Sequence, residues 1–339
     1  MAVGTDIEGV MRAAIEAAVW APSVNNTQPW WFGTSAYGEG GARVSLHSDS
    51  ERRLDIADPD GREMLVSCGA ALFTLRLAVQ ARGYEPRVRV LPEPDRPGLL
   101  ADLVIDPAAE TDPDVGPGIE RLYRQVKVRR SHRGAFEQRV VPTAVLTALR
   151  EEVHREGAEL FLVSDPRERR ALAAFTEVAE QLQRLDPEYQ AEAARWAPPP
   201  GRHRSEGMVE RSYPAEEAFT SPHFATRDFA QGRPWGVRDE RPPDPGITGV
   251  VAMVTTRGDD RADWLAAGQG MQRMLLHASA EGLSAALHTQ PLEIPELRAL
   301  IRVRLCRGGH PQVLLRLGEA ASALGTVRRK PDELTDEEA

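Results

Sequence analysis

Two long apolar stretches of this chain repeat one pattern, and any fold it adopts has to accommodate both. Gly69-Ala70-Ala71-Leu72 through Ala81-Arg82-Gly83-Tyr84 aligns without gaps with Gly268-Gln269-Gly270-Met271 through Ala280-Glu281-Gly282-Leu283, and Arg62 and Arg261 keep the same offset. Each stretch is long, rich in small residues and closed by a glycine followed by extended chain, the pattern of a core helix with a C-terminal stop. Small residues let helix backbones approach closely, so the two helices are expected to pack together across a pseudo-twofold axis, as a tandem duplication would place them. Two unrelated core helices of similar composition are the open alternative.

At 339 residues the chain is long enough for a full core and for two domains. Its 41% hydrophobic and 27% charged residues are ordinary for a globular protein. A net charge of −9 gives a nucleic-acid partner no electrostatic support. Of 42 basic residues only Lys127 and Lys330 are lysines, so the arginine excess reflects codon usage and a single arginine means little without local context. The two cysteines, Cys68 and Cys306, show no metal or redox spacing, which fits a reduced, cytoplasmic setting. The N-terminal stretch lacks a basic n-region, and Glu16 interrupts its apolar run, so no signal peptide is expected. No run of about 18 uninterrupted apolar residues points to a membrane partner.

Periodicity predicts a helix over 7–20 with Val10, Ala14, Ala17 and Ala18 on one face. A proline-bounded loop follows, then a strand at 43–47, a helix from after Asp58-Pro59-Asp60 to Ala81, and strands at 87–91 and 99–105. Residues 107–118, rich in Pro, Asp and Gly, form a linker. A helix then leads into the basic run at Arg129, another covers 141–156, a strand spans 158–163, and Asp165-Pro166 opens the next helix. Between 186 and 246 prolines break every periodic pattern, beginning with Asp186-Pro187. Trp196, Tyr213, Phe219, Phe224, Phe229 and Trp235 argue against disorder there, so this insertion is expected to be a lid.

Three short segments carry chemistry. In Ala21-Pro22-Ser23-Val24-Asn25-Asn26-Thr27-Gln28-Pro29-Trp30 the prolines restrict φ near about −65° and hold the stretch extended. Asn26 and Gln28 each offer donors and acceptors, as a heterocycle with a mixed edge requires; a polar turn between helix and strand is the alternative. Arg129-Arg130-Ser131-His132-Arg133 is either an anion clamp or a solvated face. Thr326-Val327-Arg328-Arg329-Lys330-Pro331 is a second clamp or a charged tail before the acidic C-terminus. His132, His277 and His288 show no metal spacing, and Gly268-x-Gly270 lacks the third glycine of a dinucleotide fingerprint.

In combination with Thr289-Gln290-Pro291-Leu292-Glu293, which follows the second repeat helix, these segments resemble the flavin-binding signatures of the nitroreductase family, with the order of the first two along the chain reversed. The resemblance covers most of the chain and is similar to two nitroreductase-like halves fused in one polypeptide, as in the Acg-type branch of that family. It implies an α+β fold with antiparallel-containing sheets flanked by long central helices, halves at 1–115 and 116–339, and the lid at about 186–246. It implies FMN as cofactor, with Arg129 and Ser131 on the phosphate, Arg133 beside the N1/O2 edge, and Arg328 and Arg329 as a second phosphate clamp. Pro22, Ser23, Asn26 and Gln28 then meet the ring, and Thr289, Gln290, Pro291 and Leu292 bring backbone towards N5. Neither half carries all the motifs, so one competent site is expected, in a monomeric pseudo-dimer or weak homodimer. The implied activity is hydride transfer through flavin N5 from NAD(P)H to a nitroaromatic, a quinone or a natural-product intermediate, with no catalytic protein side chain required. An FMN-sequestering protein whose lid blocks NAD(P)H is the other implied function.

Overall fold

The computed structural model describes residues 7–107, 116–197, 204–214, 220–229, 236–237, 246–320 and 324–338. Helix α1 (Ile7–Ala18) leads through the proline-bounded loop to strands β1 (Trp30–Tyr37) and β2 (Gly41–Ser48), helix α2 (Arg62–Gln80), and strands β3 (Arg87–Val90) and β4 (Leu99–Ile105). Helices α3 (Gly116–Tyr123) and α4 (Thr143–His154), strand β5 (Glu159–Leu162), and helices α5 (Pro166–Leu185) and α6 (Pro187–Trp196) follow. Strand β6 (Val250–Thr256), helix α7 (Arg261–Ala280), strand β7 (Leu283–Leu287), helix α8 (Pro295–Leu305) and strands β8 (His310–Glu319) and β9 (Thr335–Glu337) complete the chain. One sheet has the order β3-β4-β2-β1-β9, the other β5-β6-β8-β7. Every pairing is antiparallel except that of β1 with β9. The architecture is α+β, as expected.

Helices α2 and α7 cross at the middle of the molecule. All residues of α2 except Arg76 and Gln80 are buried, so it shows no polar stripe and depends on packing from every side. By length and composition it would cross a membrane, but here it is a core helix. The crossing is set by the repeated glycines. A Cβ added at Gly69 would lie 2.3 Å from the Leu265 carbonyl oxygen, and one at Gly268 2.0 Å from that of Val66. Val66 and Leu265 hold the same offset in the repeat as Gly69 and Gly268, so the contact is reciprocal, the pattern a local twofold axis produces. Hydrogen bonds from Gln272 to Thr74 and from Arg76 to Gln269 flank it.

Several elements differ from the expectation. Strand β1 is an element that the periodicity does not predict, although Trp30 and Phe32 are fully buried. Its partner β9 comes from the far end of the chain: Phe32 N donates to Leu334 O and Glu338 N to Thr34 O. Gly33 leaves room for this tail, since a Cβ there would overlap the Glu338 carboxyl. The C-terminal segment thus completes the first sheet. The stretch expected to be irregular from 186 begins with α6, because Asp186 accepts from Glu188 N and Tyr189 N and Pro187 fits the first turn. Asp-Pro starts a helix here as it does at Asp165-Pro166. Trp196, Tyr213, Phe224 and Phe229 are buried; Phe219 and Trp235 lie outside the described residues.

Candidate functional site

The loop after α1 is tightly wound. Asn25, Asn26 and Gln28 all have positive φ, at 46°, 53° and 51°. For non-glycine residues this left-handed backbone costs about 1–3 kcal/mol each and persists only where the surroundings over-determine it. They do so here. Asn26 Nδ2 donates to Gly207 O at 3.0 Å and Val327 O at 3.1 Å, and Arg328 Nη1 donates to Asn26 Oδ1 at 2.9 Å. Gln28 Nε2 donates to Ser205 O at 2.8 Å, and its Oε1 accepts from Arg329 N at 2.8 Å. Ser23 Oγ accepts from Gln28 N at 3.0 Å. Both amides therefore tie the loop to the 204–214 segment and to the C-terminal tail.

The basic run lies alongside β7: Ser131 bridges to Ala285, and His132 N donates to Ala285 O at 2.8 Å. This turns Arg129, Arg130 and Arg133 towards Arg328, which arrives on the tail. Arg130 and Arg328 stack on the Trp20 ring at 5.2 and 5.7 Å. Among the described residues no carboxylate pairs with any of these four arginines. Burial, with Arg130 and Arg133 nearby, brings the Arg129 guanidinium down to about 10. Burial and the other three cations bring Arg328 down to about 9. Both stay charged near neutrality, and Nε of Arg129 and of Arg328 is buried with no hydrogen-bond partner. Uncompensated cations with unused donors make an anion site.

These segments enclose a single cleft with roughly 1150 Å³ of open space, its mouth included. Pro22, Ser23, Asn26, Arg129, Ser131, Arg133, Arg328, Thr289 and Gln290 line it together, although the chain separates them widely. Other expected residues stand behind the wall. Gln28 is fully buried, Pro291 and Leu292 pack inward in the 290–292 turn, and Arg329 turns to Glu333 O and to the side of Asp49. Met208, Tyr213 and Phe229 close one side, the two rings meeting edge-on at 5.7 Å. Arg133 donates to Ser212 O at 3.1 Å, so the basic run also holds the 204–214 segment.

The far wall has a different character. Glu63, at the start of α2, lines the cleft with Arg227 and Thr289. Glu63 accepts from Arg62 Nη2 at 2.9 Å, and Thr289 Oγ1 lies 3.4 Å from its other oxygen. Arg227 pairs with Glu293, which also accepts from Gln183 Nε2 at 2.7 Å. Asp58 accepts from Glu63 N and Met64 N at 3.1 and 2.8 Å. Close by, His288 is held neutral by burial and by Arg316, whose Nε donates to its Nε2 at 2.8 Å. The sequence pointed to none of Glu63, Arg227, Met208, Tyr213, Phe229 or Trp20 as site residues. Trp20 left a signal in its position just before the loop motif, and Tyr213 and Phe229 in their place among the aromatics of the expected lid.

No protein-family model matches the chain. A Mycobacterium tuberculosis protein provisionally named NAD(P)H nitroreductase Rv3131 is 31% identical over 312 residues, covering 91% of this chain and 85% of that protein. A second protein of that organism, provisionally named NAD(P)H nitroreductase Acg, is 29% identical over 331 residues, covering 96% and 95%. Among solved structures, the FMN-dependent nitroreductase NfnB from Mycobacterium smegmatis, in complex with NADPH, aligns at 19% identity with a TM-score of 0.38 over 66% of this chain and 98% of that one. A Desulfitobacterium hafniense nitroreductase with bound FMN aligns at 14% identity with a TM-score of 0.38 over 64% and 98%.

Proposed function

The chain belongs to the nitroreductase family, in its Acg-type branch, and from that premise we propose that it binds FMN in this cleft and passes hydride from NAD(P)H to a conjugated acceptor, a nitroaromatic or a quinone. The observation that carries the reading is the set of Arg129, Arg130, Arg133 and Arg328, buried or half-buried and, among the described residues, without carboxylate partners and with two Nε donors unused. A phosphate dianion satisfies both the charge and the donors, each charge-assisted contact being worth about 1.5–3 kcal/mol. The residues present therefore fit the cofactor. Arg129, Ser131 and Arg328 would hold its phosphate, and Arg133 would stabilise negative charge on the reduced ring. Pro22 and Ser23 would line its flank, and Thr289 and Gln290 the wall opposite the phosphate end. Asn26 and Gln28 act through the backbone they fix, because their amides are engaged within the protein. When bound, FMN supplies two-electron transfer at N5, so the chain needs no nucleophile of its own.

The test is the visible spectrum of the purified protein, titrated anaerobically with NADPH. Flavin absorbance that bleaches is the expected result. Absorbance that persists would favour a protein that sequesters FMN, and a colourless protein that takes up no added FMN would refute the assignment of the cleft.

The two-half organisation, 1–115 and 116–339, belongs to the same proposal and is supported by the reciprocal crossing of α2 and α7. Such a chain holds both sides of its interface internally, so light scattering is expected to give a monomer or a weak dimer. A tight dimer at nanomolar concentration would count against fusion of two halves.

A further inference from the structure

We infer that Glu63 is the proton donor to a quinone-class acceptor reduced in this cleft. The inference rests on the function proposed above and adds to it a side chain with a chemical role. Its basis is a charge count on the far wall. Among the described residues, two guanidiniums, Arg62 and Arg227, face three buried carboxyls, Asp58, Glu63 and Glu293. Glu180, beyond Gln290, is occupied by Asp228 N and by the exposed Arg184. A buried group with one carboxyl in excess holds a proton, because desolvation penalises the uncompensated charge.

Geometry decides which carboxyl carries it. Burial raises Asp58, but its two backbone N–H bonds at the start of α2 hold it to about 6, so it is mostly the anion at neutral pH. Glu293 pairs with Arg227 and accepts from Gln183. Glu63 has the weakest support: it shares Arg62 with the Gln312 carbonyl, and Thr289 Oγ1 stands 3.4 Å away. Burial, followed by Glu293, accordingly pushes the Glu63 carboxyl up to about 8. Glu63 also lines the cleft, beside the Thr289–Gln290 segment, whereas Asp58 and Glu293 do not. A neutral carboxyl facing a ligand cavity is a hydrogen-bond and proton donor at neutral pH.

The step balances. A quinone gains two electrons and one proton as hydride from the reduced flavin, and its oxygen takes the second proton from Glu63. The carboxyl O–H bond breaks, a hydroxyl O–H bond forms, the quinone leaves as hydroquinone and the flavin is oxidised. The carboxylate left behind is attracted by Arg62 and Arg227 until solvent returns its proton.

The decisive variant is Glu63→Gln, which keeps the size and loses the acidic proton. With flavin loaded and reduced, reoxidation by 1,4-benzoquinone is expected to slow at least about 100-fold, the usual contribution of a positioned acid. The wild-type rate should fall as pH rises through about 8, and the variant should lose that dependence. Glu63→Asp, which retains an acid, is expected to restore the pH dependence and part of the rate. Infrared spectra of the protein without cofactor give an independent reading: a protonated-carboxyl band at neutral pH that disappears in Glu63→Gln. A flavin-loaded variant that reoxidises within about twofold of wild type, or an unchanged carboxyl band, overturns the inference alone. A wild type that takes up no flavin overturns the functional reading and the inference with it.

Discussion

Replacing Gly268 by alanine is expected to cost about 3 kcal/mol or more of folding stability and to move the urea midpoint sharply down. Few single methyl groups face so rigid an obstacle. The new Cβ would sit 2.0 Å from the Val66 carbonyl oxygen, 2.8 Å from its carbon and 3.0 Å from Ala70 N, all backbone atoms of a helix buried on every side. No rotamer change relieves such a contact. Relief requires α2 and α7 to move apart, which opens the core where Leu65, Leu72, Leu265 and Met271 pack. Gly69→Ala should behave alike, since its Cβ meets the Leu265 carbonyl oxygen at 2.3 Å. Gly118→Ala is the control: it lies in α3 with nothing within 4 Å, and alanine there should be neutral or stabilise by about 0.5–1 kcal/mol through helix propensity. Equal midpoints for Gly268→Ala and wild type would mean the helices do not cross as described.

That crossing was legible in the sequence because its cause is local composition at a fixed register: a repeated glycine among small residues has few structural uses other than close backbone approach. The arginines were legible for a related reason. Runs such as Arg129-Arg130-Ser131-His132-Arg133 concentrate charge whatever the fold does with it. Strand β1 pairs with the neighbouring β2 along its whole length, but its other edge is closed by β9, a tail some three hundred residues away, and that pairing was not legible. The Asn26 and Gln28 amides were recognisable as a donor–acceptor pair, but their direction was not. They point to Ser205, Gly207, Val327 and Arg329, none of which is a neighbour in sequence. Glu63 lay furthest from view. An Arg-Glu pair at a helix start is commonplace, and only the fold sets it against Asp58, Arg227 and Glu293. Charge runs and steric registers are properties of the chain; a carboxyl's excess in a buried cluster is a property of the assembled molecule.

Substituting Arg129 and Arg328 together by alanine is expected to abolish FMN retention while leaving the protein folded. The two outcomes separate best at Arg129, whose side chain makes few contacts within the protein. Arg129 makes one long hydrogen bond, to Trp20 O at 3.4 Å, and its Nε makes none. Burial and the neighbouring cations disfavour its charge, as they do that of Arg328, so truncation removes a repulsion along with a side chain. Losing one charge-assisted contact to a phosphate should weaken binding about 10- to 150-fold, and losing two should exceed the range in which cofactor survives gel filtration. Arg328→Ala carries one further effect, because Arg328 also holds Asn26 Oδ1 at 2.9 Å and so helps fix the strained loop. Arg129→Ala is therefore the cleaner single variant, and its flavin dissociation constant, read by fluorescence quenching, gives the phosphate contribution alone. Arg129→Ala should unfold thermally within about 2 °C of the flavin-free wild type, and Arg328→Ala lower, because it also gives up the hydrogen bonds to Asn26 Oδ1 and Val327 O. Wild-type flavin content in the double variant would place the phosphate elsewhere, and the four arginines would then need another anion.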